Sequence, residues 1–473
     1  MSVINLSASE LSRRIACRDL APSEVMAAFL RQINDVNPGL NAIVSMRDPD
    51  VLMAEARAAD AAPRRGWLHG LPFAVKDLQA VAGLRCTSGF PGFADVVAKA
   101  DDMLPRRLRA AGAIFIGMTN VPEFGLGSHS FNPVHGVTGN PYAPSRSAGG
   151  SSGGAAAALA ARMVPVADGS DAMGSLRNPA AFCNVYGFRP SIGLVPSDPV
   201  GDTFLHPLAT DGPMARCPED LARLLEVLAV PSPADPQARP WEPFASALDA
   251  DVSGQRIGWL GDWGGAYPTD PGILETCEAA LGTFADLGCP VEPVSPPFPA
   301  DRLWEAWITL RCWSRAAALG DLCRDPAMRP LLKDEIIAEI EAGLALSAAE
   351  IQRASGIRSA WFTALAGLFA RHDALVLPAA QVWPFPKLSR YPTEIAGRTM
   401  DTYHRWMAVV VPVSLAGVPA LAVPAGFGPQ ELPTGLQIFG PRGSDRRLLR
   451  LGQAWHRATD WPNRRPPLLQ CNA

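Results

Sequence analysis

The chain has 473 residues, 48% hydrophobic and 19% charged, and its 42 Lys+Arg against 46 Asp+Glu leave a net charge of −4. This slightly acidic balance, with no Lys/Arg run longer than two, offers no electrostatic footprint for nucleic acid or an anionic membrane surface. No basic leader runs into an apolar stretch and no window reaches ~18 uninterrupted apolar residues, so a cytoplasmic protein without a membrane span is expected.

In chain order, Ser7 to Glu10 reads as a capping box, and Val25, Phe29, Ile33 and Val36 recur at helical spacing after Pro22, predicting two opening helices. Residues 40–44 alternate like a strand, 48–61 is Ala-rich and helical, and Leu71 to Val75 is a continuous apolar run that predicts a buried strand. The rhythm continues with a helix over 102–111, a strand over 113–117, an alanine helix over 153–161 and a strand over 163–167. Such alternation argues for an α/β fold with a parallel or mixed sheet. Residues 230–244 are rich in proline and read as a surface excursion within one domain, because strand-like 256–260 follows at once. Helical patterns over 272–286, 303–319, 328–343 and 347–371 follow, and apolar runs at 374–377, 421–424 and 435–439 return as strands.

Nine cysteines never fall as C-x-x-C, and seven histidines show no H-E-x-x-H or i, i+4 pairing, so neither disulfides nor a metal site are expected. The unusual stretch is Ser145 to Gly154, SRSAGGSSGG, followed by the alanine helix. Glycines before a helix can cradle phosphate, but the Gly-Lys-Ser/Thr ending of a P-loop is missing and so is G-x-G-x-x-G. Gly149 to Gly153 also matches the nucleophile elbow G-x-S-x-G, with His404 or His456 as a base. That elbow needs a buried strand just before it, where this chain has a polar stretch twice interrupted by proline.

A third reading joins distant places. Ser175 lies in a turn directly after the strand over 163–167, where several backbone N–H groups can converge as an oxyanion hole requires. Lys76 ends the apolar run 71–75. Burial disfavours an ammonium, so such a lysine can be neutral and act as a base, which arginine cannot do. The chain has only four lysines, leaving 42 − 4 = 38 arginines, so a lysine at this place reads as chemically selected.

Lys76, the loop with Ser151, and Ser175 placed 24 residues beyond it together resemble the amidase signature family. The resemblance extends to Thr119–Glu123 (TNVPE), Gly187–Pro190 (GFRP), Gly417–Ala420 (GVPA) and Gly435–Gln437 (GLQ). It implies a single α/β/α sandwich domain over 1–473, with a large mixed β-sheet flanked by helices. It further implies an amidase that cleaves a carboxylic C–N bond through an acyl-enzyme on Ser175. Ser151, on a cis peptide bond, would relay the proton to neutral Lys76 as general base and then acid. Backbone N–H groups of Ala172, Met173, Gly174 and Ser175 would form the oxyanion hole, Ser152 would order the loop, and Asp171 and Arg177 would hold its shape.

The turn departs from the family pattern, which usually has glycine where this chain has Met173 and often Thr or Ile at Ala172. If the turn needs φ > 0 there, Met173 is strained. Trp304 and Trp307, at helical spacing, read either as core or as walls of a pocket for an apolar or aryl acyl group. A glutamine-hydrolysing subunit of a tRNA-dependent amidotransferase is the nearest competitor, though such subunits typically have Gln at the position of Asn178. A urea or carbamoyl (allophanate-like) hydrolase and a non-catalytic ligand-binding descendant complete the alternatives. A small-molecule amide substrate is implied, no cofactor is required, and homodimers are common among similar enzymes.

Overall fold

In the computed structural model, which describes residues 2–469, the architecture follows from side chains alternating along strands. Leu375 and Leu377 join one apolar cluster, whereas Ala374 and Val376 join another. The same split recurs between Ala420, Ala422 and Leu421, Val423, so one sheet carries a core on each face.

Eleven strands position the site: β1 (Ile43–Val44), β2 (Pro72–Lys76), β3 (Ile114–Thr119), β4 (Val166–Asp171), β5 (Tyr186–Arg189), β6 (Thr210–Ala215), β7 (Ile257–Trp259), β8 (Val291–Pro293), β9 (Ala374–Pro378), β10 (Ala420–Phe427) and β11 (Pro433–Phe439). The first three form a sheet in the order β1-β3-β2, and the others an eight-stranded sheet in the order β8-β7-β9-β11-β10-β5-β6-β4. The larger sheet is mixed: β7 runs parallel to β8 and β9, while the pairs from β9 through β11, β10, β5 and β6 to β4 are antiparallel. Helices Ala300–Arg324 and Ala348–Phe369 bury Trp307 and Trp361 on one face. Helices Pro218–Leu228 and Asp445–Thr459 bury Leu221, Leu448 and Trp455 on the other.

The opening helices are Ala8–Ala16, capped by Ser7, and Pro22–Leu40. The strand expected over 40–44 shrinks to β1, because the Asn37 carboxamide accepts the N–H groups of Ala42 and Ile43 and holds them in a turn. The helix expected over 328–343 begins only at Asp334, after a 3₁₀ turn containing Pro330, and 272–286 divides at Leu281 into two helices. The strand expected over 163–167 starts later and runs on through polar Asp168–Asp171, whose side chains all find partners nearer the site. Residues 230–244 form no helix or strand. They are tied down by Arg107, which donates to the carbonyl of Val230, and by the Arg239 N–H, which donates to Gly193. The eight cysteines among the described residues are free, and Cys471 lies outside those residues. Among the described residues no helix is long and apolar enough to cross a membrane, and no His/Cys/Asp/Glu group could hold a metal.

Candidate active site

Strand β2 is wholly buried and pairs in parallel with β3, which carries Lys76 to the strand's C-terminal end beside β4. The Lys76 N–H donates to the Asp168 carboxylate at 3.0 and 3.3 Å. Its Nζ lies 2.8 Å from Ser151 Oγ, 2.8 Å from Ser152 Oγ and 2.9 Å from Ser170 Oγ. Lys76 is 1% exposed. Burial pulls its ammonium down to about 8, against the opposing pull of Asp168, Asp211 and Asp171.

The loop that brings Ser151 to this lysine carries a cis Gly150–Ser151 peptide bond, as the family resemblance implied. Ser128 Oγ bonds the Gly150 carbonyl, and Ser130 Oγ accepts the Gly153 N–H at 3.1 Å. His129 is held at about 4 by burial, hence neutral, and bonds the Lys387 carbonyl through Nε2 at 2.9 Å. Its Nδ1 therefore accepts the Ser147 hydroxyl at 2.7 Å, and Ser147 in turn accepts the Gly149 N–H. The glycine at the start of the alanine helix has a steric cause: a Cβ on Gly154 would lie 2.3 Å from the Asn120 nitrogen. The residues before the loop do form a strand, Ala143–Ser147, but it belongs to a half-exposed two-stranded ribbon and not to the main sheet that an elbow requires.

Ser175 sits in the turn between β4 and the helix Arg177–Phe182, 7% exposed, and its carbonyl accepts the Ser152 N–H at 3.2 Å. Its hydroxyl makes no hydrogen bond among the described residues. Asp171 shapes the turn by accepting the N–H groups of Gly174 at 2.9 Å and Leu176 at 3.2 Å. The Gly174 amide is therefore engaged inside the turn. The N–H groups of Ala172, Met173 and Ser175 have no partner among the described residues. The positive φ of the turn, +78°, falls on Gly174 and not on Met173, whose side chain is buried in the core, so the substitution at 173 causes no strain.

Arg177 pairs with Asp171 through Nε and Nη2, both at 2.9 Å, and Arg189 approaches the same carboxylate at 3.2 Å. All three side chains are fully buried, and the two guanidinium groups hold the Asp171 carboxyl well below the ordinary carboxylate range. Arg177 also bonds the Val410 carbonyl, Ser414 Oγ at 2.7 Å and Gln437 Oε1. Gln437 is in turn fixed by donating to the carbonyls of Pro378 and Val409. The GLQ motif thus supports the turn through the Gln437 side chain on β11.

The structure brings Lys76, Ser151, Ser152 and the 171–177 turn together. It also adds Ser170, Asp168, Ser128 and His129, which the sequence did not single out; the alternation on β4 that places Ser170 with Asp168 was the available signal. Trp307 is fully buried in the core, and Trp304 packs against His404 with the Arg405 guanidinium 3.8 Å over its ring, lining a cavity with Tyr267 and Met400. A small cavity beside Ser128 and His129 is lined by Leu126, Phe131, Ile336 and Trp406 together with Lys333, Glu335 and Arg390. A Cβ on neighbouring Gly125 would lie 3.5 Å from Ser151 Oγ. His404 stacks on Tyr403 and His456 meets Tyr186, and neither bonds a serine of the loop.

A family model described as Amidase matches residues 24–449. The chain is 33% identical over 469 residues to an acylamidase of Rhodococcus erythropolis, covering 98% of this chain and 97% of that protein. It is 35% identical over 485 residues to a glutamyl-tRNA(Gln) amidotransferase subunit of Thermus thermophilus, covering 98% and 99%. Among solved structures, a bacterial aryl acylamidase of the amidase signature family superposes with a TM-score of 0.90 at 30% identity, over 97% of each chain. The peptide amidase of Stenotrophomonas maltophilia superposes with a TM-score of 0.80 at 28% identity, over 98% of each.

Fold, site and relatives together define a class, the α/β amidohydrolases that cleave C–N bonds. Within that class the chain belongs to the amidase (amidase signature) family.

Proposed function

We propose that this chain is a free-standing acylamidase that works through an acyl-enzyme on Ser175. Ser175 Oγ attacks the amide carbonyl while its proton passes to Ser151 and the Ser151 proton to Lys76. The amide N–H groups of Ala172, Met173 and Ser175 face the developing oxyanion. The C–N bond then breaks as Lys76, through Ser151, returns a proton to the leaving amine, and water releases the acid by the same relay run again. The likeness to an aryl acylamidase supports an aryl-bearing amide as the substrate. Side chains and backbone amides supply every group in this scheme.

The observation that carries the reading is the 2.8 Å contact of Lys76 Nζ with Ser151 Oγ, at a site where burial alone brings a lysine towards neutrality. A serine-directed fluorophosphonate followed by peptide mapping tests it. Modification at Ser175 that is lost in Lys76→Ala supports the relay, whereas modification at Ser151 or Ser152, or none in folded protein, overturns it.

The identity to the Thermus amidotransferase component supports a second reading, a glutamine-hydrolysing subunit. Asn178, bonded by Ser128 at 2.8 Å, stands where such subunits typically carry glutamine and speaks for the first. Hydrolysis of glutamine together with co-purifying partner subunits would reverse the order. We also read 1–473 as one domain, since the eight-stranded sheet takes strands from both sides of 230–244. A cytoplasmic homodimer completes the proposal, checked by cell fractionation and light scattering.

A further inference from the structure

Lys76 gains a proton in the proposed relay, inside a site with little water to solvate the resulting charge. Three hydroxyls, of Ser151, Ser152 and Ser170, surround its Nζ, and none carries charge. Side-chain alternation on β4 puts Asp168 and Ser170 on one face of the strand and Asp171 on the other. On the neighbouring strand Asp211 pairs with Ser170 across the ladder, so its side chain joins the Asp168 face.

The carboxylates around Lys76 therefore differ in kind. Asp171, on the far face, is already neutralised by Arg177 and Arg189. Asp168 is 1% exposed, and its only donor among the described residues is the Lys76 N–H. Asp211, partly buried, accepts only Gln79 Nε2, at 3.2 Å. The other acid near Asp211, Asp102, is engaged by the Ala80 N–H at 2.6 Å. Among the described residues neither Asp168 nor Asp211 forms a salt bridge with an arginine, in a chain that has 38 arginines among its 42 basic residues. The cation that both face is Lys76.

We propose that Asp168 and Asp211 are positioning residues that together supply the countercharge for Lys76 when it takes up the serine proton. Asp168 additionally fixes the end of β2 through the lysine's own backbone. Burial raises the Asp168 carboxyl to about 7 and the Asp211 carboxyl to about 6, so both remain largely ionised where Lys76 titrates, at about 8. The pair thus offsets part of the desolvation of the ammonium without pairing with it so tightly that the free base is lost. This inference rests on Lys76 acting as the base.

The test is the second-order rate of Ser175 modification by a fluorophosphonate, measured against pH for the full chain and for Asp168→Asn, Asp211→Asn and Lys76→Ala. Removing either negative charge destabilises the ammonium, so the acid limb should move down by about one pH unit in each aspartate variant. The plateau rate should fall several-fold, because a weaker base accepts the proton less readily. A merely structural role would lower the rate without moving the midpoint. If Asp168→Asn fails to fold, Asp211→Asn decides alone, since that side chain is partly exposed and holds only Gln79. Folded variants whose acid limb stays at the wild-type pH overturn the inference. Lys76→Ala separates the two levels. If it still reacts at the wild-type rate, the base assignment itself fails; if it is dead while the aspartate variants keep the wild-type midpoint, only the countercharge role fails.

Discussion

Acidification should silence this enzyme through one buried amine. Lys76 titrates at about 8, below its ordinary 10.5, because burial penalises the ammonium more than the surrounding carboxylates favour it. Only the neutral amine can take the Ser151 proton. Its population is about half at pH 8 and about a tenth at pH 7. For any amide the enzyme turns over, kcat/KM should therefore level off in mild alkali and fall roughly tenfold from that plateau to pH 7, then less steeply as the Asp168 carboxyl takes up a proton. Lys76→Arg should leave a small residual rate with no such limb, because the guanidinium stays charged throughout. The same shift has a stability counterpart. Between about 8 and 10.5 the unfolded chain holds this proton and the folded chain does not, so stability rises with pH across that window. The assay is a steady-state pH profile of kcat/KM, with circular dichroism at each pH to show that the fold persists. A profile that stays flat to about pH 6, or peaks on the acid side of neutrality, refutes the assignment of Lys76 as base.

Further outcomes follow from the turn and the core. Gly174→Ala forces an L-residue to φ +78° and puts Cβ 2.9 Å from both Val410 methyl groups. It should cost about 1–2 kcal/mol in thermal unfolding, and displaced amides should cut kcat about a hundredfold with less effect on KM. Asp171→Asn leaves two buried arginines short of their anion and should lose about 3–5 kcal/mol in denaturant titration. In the unmutated protein that carboxyl lies below the ordinary range, so its contribution is complete above about pH 4 and fades as pH falls further, which a series of acid-unfolding curves would read. Trp307→Ala should destabilise by about 3–5 kcal/mol while leaving acyl preference unchanged; a changed preference in a panel of anilides would make Trp307 a pocket wall.

The sequence made Lys76, Ser151 and Ser175 legible because rare chemistry stood in a plain background, one strand-end lysine among many arginines and two serines flanked by glycine. The α/β alternation was equally open, since apolar runs such as 71–75 and 374–377 need no partner to be seen. β6 was not, because Thr210–Ala215 (TDGPMA) has no alternation of its own and becomes a strand by pairing on both sides. Ser170 and Asp168 escaped notice for a related reason: polar residues in a strand acquire meaning only from the register that aims them at Lys76. Trp304 and Trp307 share a helical spacing that fits core and pocket alike; the fold buries Trp307 and leaves Trp304 partly buried at a cavity. The part played by Gly174 depended on knowing where the Asp171 carboxylate points.

The arginine behind the Ser175 turn carries a consequence for biosynthesis. Arg177 finds Val410, Ser414 and Gln437 at sequence distances of 233, 237 and 260 residues. On a chain still emerging from the ribosome, Ser175 is exposed long before the partners that brace its turn have been made. Hydrolytic competence must then arrive late and all at once, when the last central strand, β11, inserts beside β10. Nascent fragments that stop short of residue 437 should be inert towards amides.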